Sequence, residues 1–332
     1  NRTREEVFIS LEEARANWLK INWKEVPIQI PSFMGVQSLS DFSLEELRPY
    51  IDWTFFFHSW KIPGKYPEIF QDPLKGEEAR KLFDDGQRMI DEVISKKMIR
   101  ANGVFGFYPA RSLGEDVNIY KDDKGKERLS TLHFLRNQEK KTEGTPNLSL
   151  ADFIAPESSG PLDYVGLFAV TAGIGIEKWV KQYEDALDDY SSFMLKIIAD
   201  RFAEAFAERL HELVRKEYWG YAPDENIPVP EMLKEGYQGI RPAPGYPGCP
   251  EHSEKRTIFD LLEAEKNAGI TLTENFAMYP AAAVSGYYFS HGFSKYFNLG
   301  KISEEQVVNY ARRKNIPVEV AKKFLRQNLI NE

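Results

Sequence analysis

Near the middle of the chain the sequence reads Asp163-Tyr164-Val165-Gly166-Leu167-Phe168-Ala169-Val170-Thr171. This run is shorter than a typical helix and is rich in β-branched and aromatic residues, which favour strands. Because its side chains are apolar at almost every position, a strand here would be covered on both faces. The run therefore predicts a central strand of a β-sheet.

Shorter β-prone runs lie on both sides of this strand in the sequence. They occupy residues 103–108, 117–120, 129–135, 270–276 and 283–289. The segment Asp122-Asp123-Lys124-Gly125 separates two of them and is typical of a hairpin turn. Because hairpins join antiparallel neighbours, the pattern predicts a mainly antiparallel sheet.

Helical periodicity dominates the other long segments. Residues 76–97 carry apolar side chains at three- to four-residue steps, as an amphipathic helix requires. A similar stripe runs from about residue 176 to 219, and a break near Asp188-Asp189 is expected because roughly 40 residues exceed the usual helix length. Ser303 and Pro317 are typical of the starts of two short C-terminal helices. The predicted fold class is α+β, and the length of 332 residues leaves one or two domains open.

Residues 1–35 are predicted to form an N-terminal arm that leads into a folded body at residues 36–332. Ser10-Leu11-Glu12-Glu13 has the pattern of a capping box at the start of a short helix. Pro27 and Pro31 then interrupt regular structure. We expect this arm to wrap the surface of the body.

The composition excludes several classes of function. The formal net charge is −8, so a phosphate backbone would be repelled and nucleic acid is not an expected partner. Cys249 is the single cysteine, which rules out an internal disulfide and argues against structural zinc. No run approaches about 18 uncharged apolar residues, the length of a membrane span. We therefore expect a cytoplasmic protein that neither crosses a membrane nor holds a metal.

Common catalytic motifs are missing from the sequence. It contains no GxGxxG or GxxxxGK[ST] fingerprint and no GxSxG nucleophile elbow. His211-Glu212 resembles the start of a zinc-protease motif, but Arg215 stands where the second histidine is needed. These absences argue against dinucleotide, P-loop, acyl-transfer and zinc-protease chemistry.

Residues 237–252 are the segment most suggestive of a ligand site. Four prolines and three glycines over sixteen residues fix the backbone without regular hydrogen bonding, and rigid loops of this kind often hold ligands. Arg241 offers a planar fork for a carboxylate or phosphate, and Tyr246 offers a ring with a hydroxyl. An ordinary surface crossover, with Arg241 bound to a local carboxylate, accounts for the same composition.

Two further segments allow both a structural and a functional interpretation. Residues 52–60 contain five aromatic side chains, which either anchor the chain in the core or line a pocket in which Asp52 faces an ammonium group. Glu204 and Glu208 lie four residues apart on one helix face, either as an acid pair or, more commonly, as part of a solvated surface. Composition and spacing leave both alternatives open.

Four segments together resemble the activation domain of cobalamin-dependent methionine synthase. They are Asp52-Trp53-Thr54-x-Phe56-Phe57, residues 203–211, residues 237–247, and Ser285-Gly286-x-Tyr288-Phe289-Ser290. The similarity runs in order from about residue 5 to the end of the chain. It implies that residues 36–332 are one S-adenosylmethionine-binding domain, C-shaped and built around a bent, mainly antiparallel sheet.

The resemblance also implies which residues hold the ligand. Asp52 matches the aspartate that binds the methionyl amino group, Arg241 the arginine that takes the carboxylate, and Glu204 a glutamate near the sulfonium. Glu235 is a weaker match. The other expected contacts are the backbone of Pro242, Ala243 and Gly245 and the side chains of Tyr246, Tyr296 and Phe297. No catalytic base is expected, because methyl transfer from sulfur to cobalt is an in-line displacement that depends mainly on positioning.

In that family the domain repairs an oxidised enzyme. Flavodoxin or an equivalent reductase returns an electron to cob(II)alamin, and S-adenosylmethionine remethylates the cobalt. The resemblance therefore implies S-adenosylmethionine as ligand, a cobalamin-binding domain in cis that carries the cobalamin, and a flavodoxin-type reductase as partner. The full enzyme transfers methyl groups from methyltetrahydrofolate to homocysteine, which this domain alone is not expected to do. A docking module with a vestigial pocket and an independent small-molecule methyltransferase are the alternatives.

Overall fold

The computed structural model describes residues 7–330, which contain one large antiparallel sheet and a two-stranded ribbon. The strands are β1 (Gly35–Phe42), β2 (Arg100–Leu113), β3 (Asp116–Tyr120), β4 (Arg128–His133), β5 (Asp163–Ile174), β6 (Thr271–Leu272), β7 (Met278–Tyr279) and β8 (Ala283–Tyr288). The large sheet has the order β4-β3-β2-β5-β8, with β1 paired to the edge of β2 that also carries β3. Strands β6 and β7 form the ribbon.

Helices and irregular segments fill the rest of the described chain. The helices are α1 (Leu11–Ala16), α2 (Leu44–Leu47), α3 (Trp53–Ser59), α4 (Gly76–Ser95), α5 (Ile176–Asp185), α6 (Asp189–Leu213), α7 (Val229–Met232), α8 (Glu254–Leu262), α9 (Ala264–Ala268), α10 (Glu304–Lys314) and α11 (Val318–Phe324). The break expected near Asp188-Asp189 is confirmed, because the Asp188 side chain caps α6 by accepting from the Ser191 N–H. The α+β class with a mainly antiparallel sheet is confirmed.

Strand β5 is the centre of the sheet, as its apolar sequence predicts. It pairs with β2 on one side and β8 on the other, and every residue except the last is buried. Its side chains alternate between two cores. Phe168 and Val170 face a core that includes the apolar side of α6, whereas Leu167 and Ala169 face a core that includes α8 and α9. Helices on both faces thus explain why the strand is apolar at consecutive positions.

The N-terminal arm contacts the body in several places. Ser10 and Glu13 form the predicted capping box of α1, and Phe8 makes a β-bridge to Glu139. Farther along, Trp23 packs edge-on against the rings of His291 and Phe293. The boundary between arm and body at residues 35 and 36 stays a prediction.

Helices α10 and α11 form a small core of their own beside the loop at residues 237–252. The hydroxyl of Tyr310 on α10 donates to the buried Glu251 carboxylate, and the Lys314 ammonium contacts both Glu251 and Glu254. At the other end of α10, the Ser303 side chain caps the first turn by accepting from the Gln306 N–H. The last part of the loop is tied to a helix more than fifty residues downstream.

One predicted strand is much shorter in the structure. Residues 270–276 provide only Thr271 and Leu272 to a ladder, and the chain then turns. The Thr273 carbonyl accepts from the Phe276 N–H, and the Thr273 hydroxyl accepts from the Ala277 N–H. These local bonds compete with strand pairing and end the strand.

The described helices include none that is long and apolar enough to cross a membrane.

Candidate functional site

A cavity of about 340 Å³ lies where α3, α6 and the 233–246 segment meet. Its lining consists of Tyr50, Asp52, Phe55, Arg201, Glu204, Glu208, Leu233, Glu235, Tyr237, Arg241, Tyr246 and Tyr296. The charged groups among these are four carboxylates and two guanidinium groups. The lining is therefore suited to a ligand that carries more positive than negative charge.

Asp52 enters the cavity from the start of α3. It is the N-cap residue, and its Oδ1 atom accepts a hydrogen bond of 2.9 Å from the Thr54 N–H. The aromatic residues that follow serve two purposes. Trp53 and Phe56 are buried in the core, whereas Phe55 is exposed and lines the cavity. Some aromatic side chains of the run thus anchor the core and one lines a cavity with Asp52, whereas the ammonium partner of Asp52 stays a prediction.

Helix α6 supplies one wall of the cavity. Arg201, Glu204 and Glu208 recur at three- and four-residue spacing, so all three lie on the same side of the helix. The solvated-surface interpretation is wrong for Glu208, whereas Glu204 is partly exposed. Glu208 is only 4% exposed, because the 237–252 loop covers this part of α6.

Arg241 forms a buried ion pair with Glu208. Its Nη2 atom lies 2.8 Å from the Oε2 atom of Glu208, and the side chains are 12% and 6% exposed. Burial opposes the charge of Arg241, but attraction by Glu208 and nearby tyrosine hydroxyls outweighs it, and the guanidinium pKa lies well above its usual value. Arg241 Nε and Glu208 Oε1 are buried without a hydrogen-bond partner in the described part of the chain. Arg241 is therefore bound to a carboxylate of α6 that is distant in sequence, and it also faces the cavity.

Tyrosine hydroxyls fix the backbone at the same position. The Arg241 N–H donates to the Tyr296 hydroxyl at 2.9 Å, and the hydroxyls of Tyr296 and Tyr237 are 2.9 Å apart. Burial raises the pKa of both tyrosines, so both hydroxyls are protonated at neutral pH. Burial raises the pKa of Tyr246 as well. The cavity thus combines fixed charges with neutral hydroxyl groups.

Comparison with known proteins identifies the family of the chain. A family model described as "Vitamin B12 dependent methionine synthase, activation domain" matches residues 43–315. The chain belongs to this family. A crystal structure of the MetH reactivation domain bound to AdoHcy is 48% identical in sequence, with a TM-score of 0.94. The match covers 98% of this chain and 99% of that one, so the whole activation domain fold is shared.

The activation domain brings together five of the residues expected at its site. Asp52, Glu204, Arg241, Tyr246 and Tyr296 all line the one cavity, although they come from distant parts of the sequence. The weaker match, Glu235, lines it too. Burial raises the pKa of the Glu235 carboxyl, with the negative charge of Glu208 adding to the effect and Arg241 opposing it.

Four expected residues are not among those that line the cavity of the activation domain. The Pro242 carbonyl accepts from the Tyr287 N–H, and the Ala243 carbonyl accepts from the Tyr246 N–H. Gly245 has a φ of +104°, and a Cβ atom there would lie 2.4 Å from the His252 ring. Phe297 packs beside Phe153. In the structure as described, Pro242, Ala243, Gly245 and Phe297 shape the loop that carries Arg241 and Tyr246.

The sequence interpretation missed several cavity residues of the activation domain. These are Tyr50, Phe55, Arg201, Leu233 and Tyr237, together with Glu208 as the partner of Arg241. Helical spacing from Glu204 is the signal that would have found Arg201, which lies three residues earlier on the same helix.

Metal ligands do not cluster in the described residues of the activation domain. The His211 ring is fully buried between Tyr237 and Tyr288, and burial holds its pKa well below the usual value, with Arg215 and Arg241 adding to the effect. Cys249 donates its thiol hydrogen to the Ala243 carbonyl at 3.0 Å. The His211 ring is therefore used in packing, with neither ring nitrogen hydrogen-bonded within the described residues, and the Cys249 thiol is used in a hydrogen bond.

Proposed function

We propose that this activation domain binds S-adenosylmethionine in the cavity between α3, α6 and the 237–252 loop. Asp52 holds the amino group, Arg241 takes the carboxylate, and Glu204 lies near the sulfonium. Tyr296 contacts the adenosine end. The observation that carries the proposal is that Asp52 and Arg241, far apart in sequence, line one cavity.

The cavity residues fit such a ligand chemically. A zwitterionic amino acid needs an anion and a forked cation, and a sulfonium favours a nearby carboxylate or ring face. The unpartnered Nε atom of Arg241 is a buried donor that a ligand carboxylate would satisfy. The excess of carboxylates in the lining favours a ligand with an additional positive charge. The AdoHcy in the related crystal structure supports the same assignment.

The chemical role of the domain follows from this binding mode. S-adenosylmethionine supplies the methyl group for reductive methylation of cobalamin, which a neighbouring domain in cis carries, with an electron from flavodoxin or an equivalent reductase. The residues of this chain bind and orient the donor, and no general base is needed. In the full enzyme the repaired cofactor supports methyl transfer from methyltetrahydrofolate to homocysteine, and we place this activity in the cytoplasm.

Calorimetry tests the binding. The wild-type domain should bind S-adenosylmethionine in about the micromolar range, and Asp52→Ala and Arg241→Ala should each weaken binding by at least about tenfold through loss of a charge-assisted hydrogen bond. Asp52→Asn is the matched control for helix capping, since asparagine also caps helices. It should keep the wild-type melting temperature yet lose affinity.

The alternatives predict different outcomes. A docking module with a vestigial pocket would give no heat with millimolar S-adenosylmethionine. An independent methyltransferase would turn over a small-molecule acceptor without cobalamin. Either result would remove the reactivation role.

A further inference from the structure

Glu208 is a buried carboxylate to which neither the family resemblance nor the expected ligand contacts give a role. It lies one helical turn from Glu204 on α6 and contributes to the same cavity. Its Oε2 atom accepts from Arg241 Nη2 at 2.8 Å. Burying a carboxylate is costly unless a positive partner compensates for lost hydration, so this pair holds both side chains in place.

The two parts of Arg241 are fixed by different neighbours. Its backbone N–H donates to the Tyr296 hydroxyl, which fixes the start of the loop but not the direction of the side chain. The guanidinium is held by Glu208. Arg215, in the turn that directly follows α6, is paired with Glu225 through two hydrogen bonds of 2.7 Å and makes no hydrogen bond to Glu208. Glu208 is therefore the carboxylate that sets the Arg241 side-chain position.

Other carboxylates line the cavity that the Arg241 guanidinium faces. Asp52, Glu204 and Glu235 all line the cavity, and Arg241 acts electrostatically on Glu235. An arginine released from Glu208 would pair with one of them, because a buried charge without a partner is unfavourable. That rearrangement would withdraw both the guanidinium and a carboxylate from the ligand.

We infer that Glu208 is a positioning residue for ligand recognition, which holds the Arg241 guanidinium against α6 so that its remaining N–H groups are available to the carboxylate of the bound amino acid nucleoside. This inference rests on the proposed function. It assigns Glu208 no contact with the reacting atoms.

The test compares two ligands in matched variants. Calorimetry gives the affinity for S-adenosylmethionine and for its decarboxylated form, which lacks the group that Arg241 recognises. The measured quantity is selectivity, defined as the affinity for the first divided by the affinity for the second. Glu208→Ala should lower selectivity by about tenfold, the loss of one charge-assisted interaction. A simple charge effect has the opposite sign, because removing a carboxylate favours the ligand that carries one.

Two further variants separate positioning from general support of the fold. Glu208→Gln keeps a hydrogen-bond acceptor at the same distance and should keep selectivity within about threefold of the wild type. Asp189→Asn is the control, because Asp189 lies at the exposed start of the same helix and does not line the cavity. It should leave both affinities unchanged. Melting curves establish that each variant is folded, and Glu208→Met replaces Glu208→Ala if the latter does not fold.

Several results would overturn the inference. They are unchanged selectivity in Glu208→Ala, an equal loss of affinity for both ligands, a loss in Glu208→Gln as large as in Glu208→Ala, or tighter binding of S-adenosylmethionine. The last result would show that Glu208 competes with the ligand for Arg241. No binding to the wild-type domain would instead reject the proposed function itself, and the inference with it.

Discussion

Arg136 and Arg241 are both buried arginines paired with acidic residues, but their hydrogen bonding differs. Every nitrogen of the Arg136 guanidinium has an acceptor: Nε contacts Glu115, Nη1 contacts Asp152 and the Asn147 carbonyl, and Nη2 contacts Asp152. Arg241 makes one side-chain hydrogen bond to Glu208, and its Nε atom has none within the described residues. Arg136 is enclosed by protein, whereas Arg241 borders a cavity.

The difference separates a structural ion network from the network that we propose to bind the ligand. A buried polar network that is fully satisfied stabilises a unique fold, and one that is partly satisfied is less stable without a further partner. The Arg136 network ties α1 to the middle of the chain, because Glu115 also accepts from Arg15 in α1. Arg241 keeps an unpartnered N–H group beside the cavity, where we propose that the ligand binds. Substitutions at the two arginines should therefore affect different measurements.

The largest expected effect is on the stability that the ion pairs of Arg136 with Glu115 and Asp152 contribute. Arg136→Ala should lower the free energy of unfolding by about 3–5 kcal/mol, because it leaves Glu115 and Asp152 buried without their common partner. Urea unfolding followed by circular dichroism measures the change. Arg241→Ala should lose less stability than Arg136→Ala while losing more ligand affinity. Equal stability losses in the two variants would erase the distinction between the networks.

The second-largest expected effect is that acid weakens the ion pairs of Glu115 with Arg15 and Arg136. Burial alone would raise the pKa of Glu115, but Arg15 and Arg136 outweigh it and lower the pKa to about 2. Because the folded pKa lies below the unfolded value, the stabilisation is complete above about pH 4.5 and is lost as the pH falls toward 2. The expected loss is about 3 kcal/mol. Glu115→Gln should make the free energy of unfolding depend less on pH in this window. An unchanged dependence would contradict the lowered pKa of Glu115.

The smallest expected effect concerns the planar shape of the Arg241 guanidinium. Arg241→Lys keeps the positive charge but replaces a planar fork with a point charge, and should weaken S-adenosylmethionine binding by about 1–3 kcal/mol. Calorimetry measures the change, and the melting temperature should stay near that of the wild type. Unchanged affinity would show that a forked contact is not used.

Periodic segments of the fold were predictable from the sequence, because their packing is recorded in the spacing of apolar residues. Strand β5 and the pair α5 and α6 follow that rule, including the break at Asp188. Residues 270–276 did not, since their composition favours a strand but Thr273 bonds to the nearby backbone. Propensity describes a residue, whereas the end of a strand depends on which local hydrogen bond forms.

The candidate site was predictable in part. Family resemblance identified Asp52, Glu204, Arg241, Tyr246 and Tyr296, all of which line the cavity. The partner of Arg241 was not predictable from spacing, because Glu208 lies 33 residues away and is brought near by the path of the loop. Acidic residues spaced four apart on a helix usually lie on a solvated surface, but Glu208 is buried because another segment of the chain covers it.

Helix α10 extends the requirements of the cavity beyond its walls. No residue after Tyr296 lines the cavity within the described chain. The Tyr310 hydroxyl nevertheless donates a hydrogen bond to the Glu251 carboxylate near the end of the 237–252 loop, which carries Arg241. We therefore expect that the smallest fragment preserving the shape of the cavity reaches past the lining residues to Lys314, which also contacts Glu251. Its C-terminal limit would then be set by the residues that support one loop, and not by the last residue that lines the cavity.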